Sequence, residues 1–405
     1  MSKIAKPFIR AIVFSGLGLI ATANASVPAW DITALSQPPA ISATAPEVPA
    51  VEGLHAVYFD GLPWRGKPTR VFAYYGVPAD ASPEHKVPGI VLVHGAGGTA
   101  FSDWVKLWVS RGYAAIAFDD EGQLPVGKYN AWTRNPDGGP RRADIPQLDW
   151  PVTDQWMYHA IADTMLAHSL LASLPEVDAD CIGTTGISWG GVVISNVAAI
   201  DTRLKFAVPV YGCGFISEES DDGSTFVGQK GTPEQRAAWR ALWDPAVRLP
   251  QAKTPLLWVA GSNDFAFTMK AWQQSYRSAP GTQSICLRLR MPHGHGGAGE
   301  NPEEIHAFAD SIVGKGAPLA HVVKQGTENH SAWASYTSTT PLKRAELNFT
   351  RSSGRWQDRV WETAPATIND ERVVAALPPG TTTYYFNLID DRNLIVSTAH
   401  VELHP

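Results

Sequence analysis

The sequence predicts an α/β domain, a mainly parallel and doubly wound sheet with helices on both faces, followed by a small all-β domain of immunoglobulin-like sandwich type. Two patterns carry that reading. Short apolar runs that do not alternate with polar residues ("GIVLVHG", "YAAIAFDD", "CIGTTGIS", "FAVPVYG", "PLLWVAG" and "ICLRLRMP") each lead into a loop and a helix-like stretch. Such runs belong to strands covered on both faces, and strand–helix repetition builds a parallel sheet. From about residue 317 short alternating segments take over, among them "AELNFT" and "LIVSTAHVEL", punctuated by Gly, Pro, Asp and Asn at sandwich-like spacing.

From the amino terminus, the first 25 residues combine a basic start (Lys3, Lys6, Arg10), an apolar run from Ala11 to Ala21, and Ala23-Asn24-Ala25 before Ser26. That is the form of a cleavable bacterial signal peptide. The run is shorter than the ~20 residues of a spanning helix, so export to the periplasm or medium is expected, with no stable membrane span. Residues 26–53, rich in Pro, Ala, Ser and Thr, read as an extended leader. Residues 54–316 are expected to form the first domain and residues 317–405 the second. "LHAVYFDG" and "TRVFAYYGVP" open the first domain as an antiparallel pair. Two long loops, "GQLPVGKYNAWTRNPDGGPRRADIPQLDWP" and "GCGFISEESDDGSTFVGQKGT", leave the carboxyl ends of strands, where open α/β sheets bind ligands.

At 405 residues the chain is long enough for two unequal domains. A net charge of −6 provides no basic footprint, which disfavours nucleic acid as a partner. The three cysteines, Cys181, Cys213 and Cys286, cannot all pair and occupy no metal-binding spacing. They read as small buried hydrophobes, with a disulfide between two of them left open.

The chemistry is concentrated in four motifs. Gly186-Ile187-Ser188-Trp189-Gly190 stands between a strand, "CIGTTGI", and a helix, "VVISNVAAI", the setting of a G-x-S-x-G nucleophile elbow. "PLLWVAGSNDFAF" ends a buried strand on a loop that holds Asp264. "RMPHGHGGAGENPEEIHAF" places His293 and His295 on a later loop. A serine hydroxyl becomes a nucleophile only when an imidazole accepts its proton, and the imidazole needs a carboxylate to hold its tautomer. Ser188, Asp264 and a histidine in that chain order meet the need. His295 is preferred as the base because it lies deeper in the loop, and His293 is the alternative. A His-x-His metal pair is the rival reading; no third ligand at a familiar spacing supports it, so no metal and no cofactor are expected. "VLVHGAGGTAF" supplies backbone donors for a developing oxyanion: Ala96 or Gly97 alongside the N–H of Trp189, with His94 bracing the loop. Asp119, Asp120 and Glu121 read as charges that brace the rim of the site. Most of the 15 tryptophans are expected in the core. Trp132 and Trp150, on the first long loop, and Trp189 are the candidates for contact with a sugar.

With these motifs in order, the chain resembles the α/β-hydrolase superfamily, and within it the dienelactone-hydrolase and acetylxylan-esterase branch. "PEVDADCIGTTGISWGG", "AAIDTRLKFAVPVYGCG" and "RMPHGHGGAGENPEEIHAFADS" carry the likeness, which spans about residues 54–315. Secreted relatives of this kind often carry a C-terminal β-sandwich and act on esterified polysaccharides. The resemblance therefore implies a serine esterase that removes acyl groups, acetyl above all, from a carbohydrate. Its expected partner is a small-molecule or polysaccharide ester. A peptidase or a glucuronoyl-type esterase on the same core, and an inactive polysaccharide-binding protein, are the alternatives. Prolyl-oligopeptidase relatives carry an N-terminal propeller, for which about 50 residues before the core are too few.

Overall fold

The computed structural model describes residues 28–44, 47–217 and 231–403. The signal-peptide reading of residues 1–25 and residues 218–230 of the second long loop lie outside them. Five strands come first: β1 (Ile41–Ala43), β2 (His55–Trp64), β3 (Lys67–Gly76), β4 (Val87–Val93) and β5 (Ala114–Phe118). A separate hairpin, β6 (Gln123–Lys128) and β7 (Ala131–Arg134), is built from the first long loop. The main sheet resumes with β8 (Val177–Ile187), β9 (Ala207–Val210), β10 (Leu256–Gly261) and β11 (Gln283–Arg288). Its nine strands run in the order β1-β2-β3-β5-β4-β8-β9-β10-β11. From β5 to β11 all neighbours are parallel, while β1, β2 and β3 form an antiparallel edge that ends on β5. This is the α/β-hydrolase fold.

Burial explains why the central runs do not alternate. Ile90 to Val93 in β4 are fully buried, as are Leu256 to Val259 in β10, because both faces of the sheet are covered. Helices Trp156–Ala172 and Trp189–Ile200 pack on each other and on the sheet. Helices Ser102–Val109 and Glu303–Ile312 meet beside Arg111, which pairs with Glu303 at 2.6 Å, and through Trp108, whose ring lies 4.5 Å from that of His306. Among the described residues no helix is long and apolar enough to cross a membrane.

The segment 26–53, expected as an extended leader, is instead packed where it is described. Ile32–Leu35 is a helical turn capped by the Asp31 side chain, and Ile41–Ala43 pairs with β2 as an edge strand. Trp30 stacks on Tyr158 at 5.1 Å and donates to its carbonyl, and Leu35 is buried. Two apolar side chains docking on a finished core outweigh a Pro- and Ala-rich composition that lacks periodicity of its own.

The second unit is all β: β12 (His321–Glu328), β13 (Ser331–Thr337), β14 (Leu342–Thr350), β15 (Trp361–Asn369), β16 (Arg372–Ala376), β17 (Thr383–Asp390), β18 (Ile395–Ser397) and β19 (Val401–Glu402). Every pairing is antiparallel, in the order β12-β13-β16-β15-β14-β17-β18, with β19 added to β17. Strand β15 pairs with β14 along residues 361–366 and with β16 along 367–369, so the strand path turns over on itself. Ala334, Leu347, Phe349, Val373 and Phe386 share the core this encloses. Trp356, Trp361, Leu394 and Val396 belong instead to the core of the first domain. The Leu287 N–H donates to Ser397 Oγ at 2.8 Å, and the Ile395 N–H donates to Glu304 Oε1 at 3.0 Å. The two units are joined by a buried, hydrogen-bonded contact.

Candidate active site

Ser188 sits at the tip between β8 and helix Trp189–Ile200, with φ 57° and ψ −116°, a conformation L-residues seldom adopt. The surrounding turn leaves no room for side chains. A Cβ on Gly186 would fall 2.5 Å from the Gly190 carbonyl oxygen, and one on Gly190 only 2.1 Å from that of Val93. Two bonds hold the tip, Ser188 N–H to the Val210 carbonyl (2.9 Å) and Val192 N–H to the Ser188 carbonyl (3.1 Å). Ser188 is 8% exposed, so the residue is almost wholly covered by its surroundings.

Asp264 follows β10 in a tight turn. Its Oδ1 accepts the N–H groups of Ala266 and Phe267, both at 2.8 Å, and its Oδ2 meets His293 Nδ1 at 2.7 Å. The His293 ring stacks on Tyr211 at 4.2 Å and is flanked by Phe265 at 4.9 Å. Tyr211 directly follows Val210, whose carbonyl accepts the Ser188 N–H, so this stack ties the imidazole to the segment that anchors the elbow. With Nδ1 on the carboxylate, Nε2 is the ring nitrogen that Asp264 does not engage.

The preference for His295 is thereby reversed. His295 Nδ1 meets Glu300 Oε1 at 3.2 Å, and its Nε2 accepts the Gly95 N–H at 3.0 Å. Its ring therefore holds the glycine loop after β4 and has no bond to Asp264. Burial lowers the His295 pKa, which keeps the ring neutral and its Nε2 lone pair available to Gly95. The two rings engage different partners, a choice that spacing in sequence does not reveal. His293 and His295 thus engage separate carboxylates, and among the described residues no group of three or more His, Cys, Asp or Glu side chains is arranged to hold a metal ion.

Around the glycine loop nearly every backbone group is committed. The Gly95 carbonyl accepts from the Gly98 N–H (3.0 Å) and lies 2.8 Å from His94 Nδ1. The peptide joining Ala96 to Gly97 is held at both ends: its oxygen accepts from the Tyr129 hydroxyl at 2.7 Å and its N–H donates to Glu121 Oε1 at 3.3 Å. Gly97 is thus removed as an oxyanion donor. The Ala96 N–H, between these fixed neighbours, meets no acceptor among the described residues. The Trp189 N–H opens its helix and has no intrahelical partner. These two amides are donors fixed in advance, the requirement for stabilising charge that develops during a reaction.

Behind the loop lie the acids that follow β5. His94 Nε2 accepts the Asp120 N–H at 3.2 Å and stands 3.2 Å from Asp120 Oδ1, and Asp119 Oδ1 accepts the N–H groups of Glu121 and Gln123. Burial raises the pKa of Asp119 to about 6 and that of Asp120 to about 7. Burial also lifts Asp163, on the neighbouring helix, well above the carboxylate range.

Of the tryptophan candidates, Trp132 is at the site: its Nε1 donates to the Gly97 carbonyl at 2.9 Å. Trp150 is placed elsewhere, with the Arg65 guanidinium 4.5 Å above its ring at the β2–β3 turn. The Trp189 ring is 1% exposed, between Trp156 and Trp239, and is core. Sequence reasoning missed the two aromatics that are exposed at the rim, Tyr129 (49%) over the glycine loop and Phe265 (51%) over His293. Phe265, next to Asp264, offered the only signal. All three cysteines are free.

Residues 36–218 match the model of the acetyl xylan esterase family, and residues 149–312 match that of the prolyl oligopeptidase family. The structure is similar to an acetyl xylan esterase from Paenibacillus sp. R4, with 21% identity over 69% of this chain and 92% of the other and a TM-score of 0.54. It is similar to acetyl xylan esterase 1 from Thermoanaerobacterium sp. JW/SL YS485 to the same TM-score, at 18% identity over 71% and 95%. No curated protein matches the sequence. Fold and family matches define the class: the chain is a serine hydrolase of the α/β-hydrolase superfamily. Within that superfamily it resembles the acetylxylan-esterase branch.

Proposed function

We propose that the protein is an exported esterase that removes acyl groups, acetyl first among them, from a carbohydrate. Ser188 Oγ attacks the ester carbonyl while His293 Nε2 takes its proton. Asp264 holds the opposite nitrogen and stabilises the imidazolium, and the Trp189 and Ala96 N–H groups receive the oxyanion. Collapse expels the alcohol, which leaves with the proton from His293. Water then adds to the acyl-serine with His293 again as base, releasing the acid and restoring Ser188. The 2.7 Å contact between His293 and Asp264, beside an elbow strained at Ser188, is the observation that carries this reading.

The match of residues 36–218 to the acetyl xylan esterase family supports acetyl as the acyl group. The exposed rings of Tyr129, over the glycine loop, and Phe265, over His293, support a sugar ring as the alcohol, since aromatic faces pack on the apolar faces of pyranoses. The signal-like residues 1–25 support export to where such polymers lie. Strand spacing supports an immunoglobulin-like type for the C-terminal unit, with the boundary near residue 317. A second reading, a peptidase, draws on the match of residues 149–312 to the prolyl oligopeptidase family. Turnover of an aryl acetate and acetate release from acetylated xylan, each compared with an aminoacyl anilide, separates the two. Ser188→Ala is expected to abolish ester turnover with the melting temperature unchanged, and full activity in that variant would overturn the proposal.

A further inference from the structure

The loops that bear Asp264 and His293 both touch the C-terminal domain within three residues of those side chains. Asn263, adjacent to Asp264, directs its amide Nδ2 at three carbonyl oxygens of one turn in that domain: Arg359 at 2.8 Å, Gln357 at 3.2 Å and Trp356 at 3.3 Å. The orientation of this amide is set from behind, because the Ser262 hydroxyl donates to Asn263 Oδ1 at 2.9 Å. Ser262 Oγ in turn accepts the N–H of Arg290 at 3.0 Å. Arg290 lies three residues before His293, takes a left-handed φ of 51°, and sends its guanidinium to the Trp361 carbonyl at 3.1 Å. One connected set of bonds therefore ties the acid loop, the histidine loop and residues 356–361 together.

The turn receiving these bonds is itself anchored. Trp356 and Trp361 are buried in the core of the first domain, and Trp356 has the Arg359 guanidinium over its ring (3.4 Å) and meets the ring of His400 edge-on (5.2 Å). A domain joined by such a contact does not drift like a tethered module.

We propose that the C-terminal β domain is a positioning element of the hydrolytic site, which sets Asp264 against His293 through Asn263 and Arg290. This rests on the triad reading given above. Bonds from Asp264 Oδ1 shape its own turn; the placement of that turn relative to His293 is what the neighbouring domain supplies. Misplacement by about 1 Å costs on the order of 100-fold in rate when groups must be aligned. Asn263 and Arg290 act through the acid and the imidazole and need not touch the substrate.

The test uses the full-length mature chain and a small soluble aryl acetate, which engages no polymer-binding surface. Asn263→Ala and Arg290→Ala are expected to lower kcat at least 10-fold with KM within about 2-fold, and to slow covalent labelling of Ser188 by a fluorophosphonate in parallel. Arg290→Lys, which keeps a donor for the Trp361 carbonyl, should recover most of the loss. Circular dichroism and melting separate these effects from misfolding, and Asn263→Ser serves if the alanine variant does not fold. Folded Asn263 and Arg290 variants with unchanged kcat and labelling rate would overturn the proposal. If, in addition, Asp264→Ala and His293→Ala kept activity, the triad reading itself would be the one to fail.

Discussion

His293 and His295 stand two residues apart and meet different carboxylates, which makes their substitutions separable. In the proposed mechanism His293 takes the serine proton, so His293→Ala is expected to lower kcat/KM for an aryl acetate by on the order of 10⁴-fold. His295→Ala instead frees the Gly95 N–H and loosens the loop that presents Ala96. Loss of one oxyanion donor costs about 100- to 1000-fold, and a loosened donor less, so roughly 10- to 100-fold is expected here. A larger loss in His295→Ala than in His293→Ala would exchange the two assignments. That Asp264 and a histidine would meet was legible in the motifs; which histidine was not, because the partners that fix each ring, Asp264 for His293 and Glu300 with Gly95 for His295, come together only in the fold.

At the scale of elements, the elbow and the histidine loop place opposite demands on glycine. Gly190 lies under the end of β4, and Gly190→Ala sets a methyl group into two backbone oxygens, those of Val93 (2.1 Å) and His94 (2.6 Å). It is expected to destabilise the fold by at least about 2–3 kcal/mol in urea titrations. A Cβ on Gly294 meets nothing within 4 Å, and Gly294→Ala should remain within about 0.5 kcal/mol of the parent. The acids following β5 make a separate prediction. Asp119, Asp120 and Asp163 have folded pKa values raised above those of free carboxylates, so the folded state holds protons more tightly. For Asp119 and Asp120 the contribution to stability is fully present below about pH 4 and is lost as pH rises through about 6 to 7. Asp120→Asn is therefore expected to raise the melting temperature more at pH 8 than at pH 5, and an equal shift at both would count against these protonation states. The β4–glycine loop, β8–elbow and β10–acid loop units were readable in sequence because each is local. Packing of residues 30–43 was not, since Trp30 finds Tyr158 across 128 positions.

For the whole molecule, the contact between the domains carries a buried histidine. His400 lies against Trp356 and Gln273, and burial depresses its pKa to about 3. A histidine depressed in the folded state adds stability above its unfolded pKa of about 6.5 and loses it as pH falls toward the folded value. At pH 5 that loss is about 2 kcal/mol, from 1.36 kcal/mol for each unit of pH below the unfolded pKa. His400→Gln should thus show a smaller fall in unfolding free energy between pH 7 and pH 5 than the parent, as measured by urea denaturation at the two pH values. Identical falls would remove His400 as the acid-sensitive group.

The sequence by itself determined which local pieces exist: the parallel sheet, the strained serine turn, the acid and histidine loops and an all-β unit at the end. These follow from spacing over a few residues, where sterics and burial leave one choice. The tertiary structure alone decided that His293 faces Asp264, that Ala96 rather than Gly97 keeps its N–H open, and that the last domain grips Asn263 and Arg290. Each of those depends on groups tens to hundreds of residues apart meeting within hydrogen-bonding distance, and local patterning carries no record of such meetings.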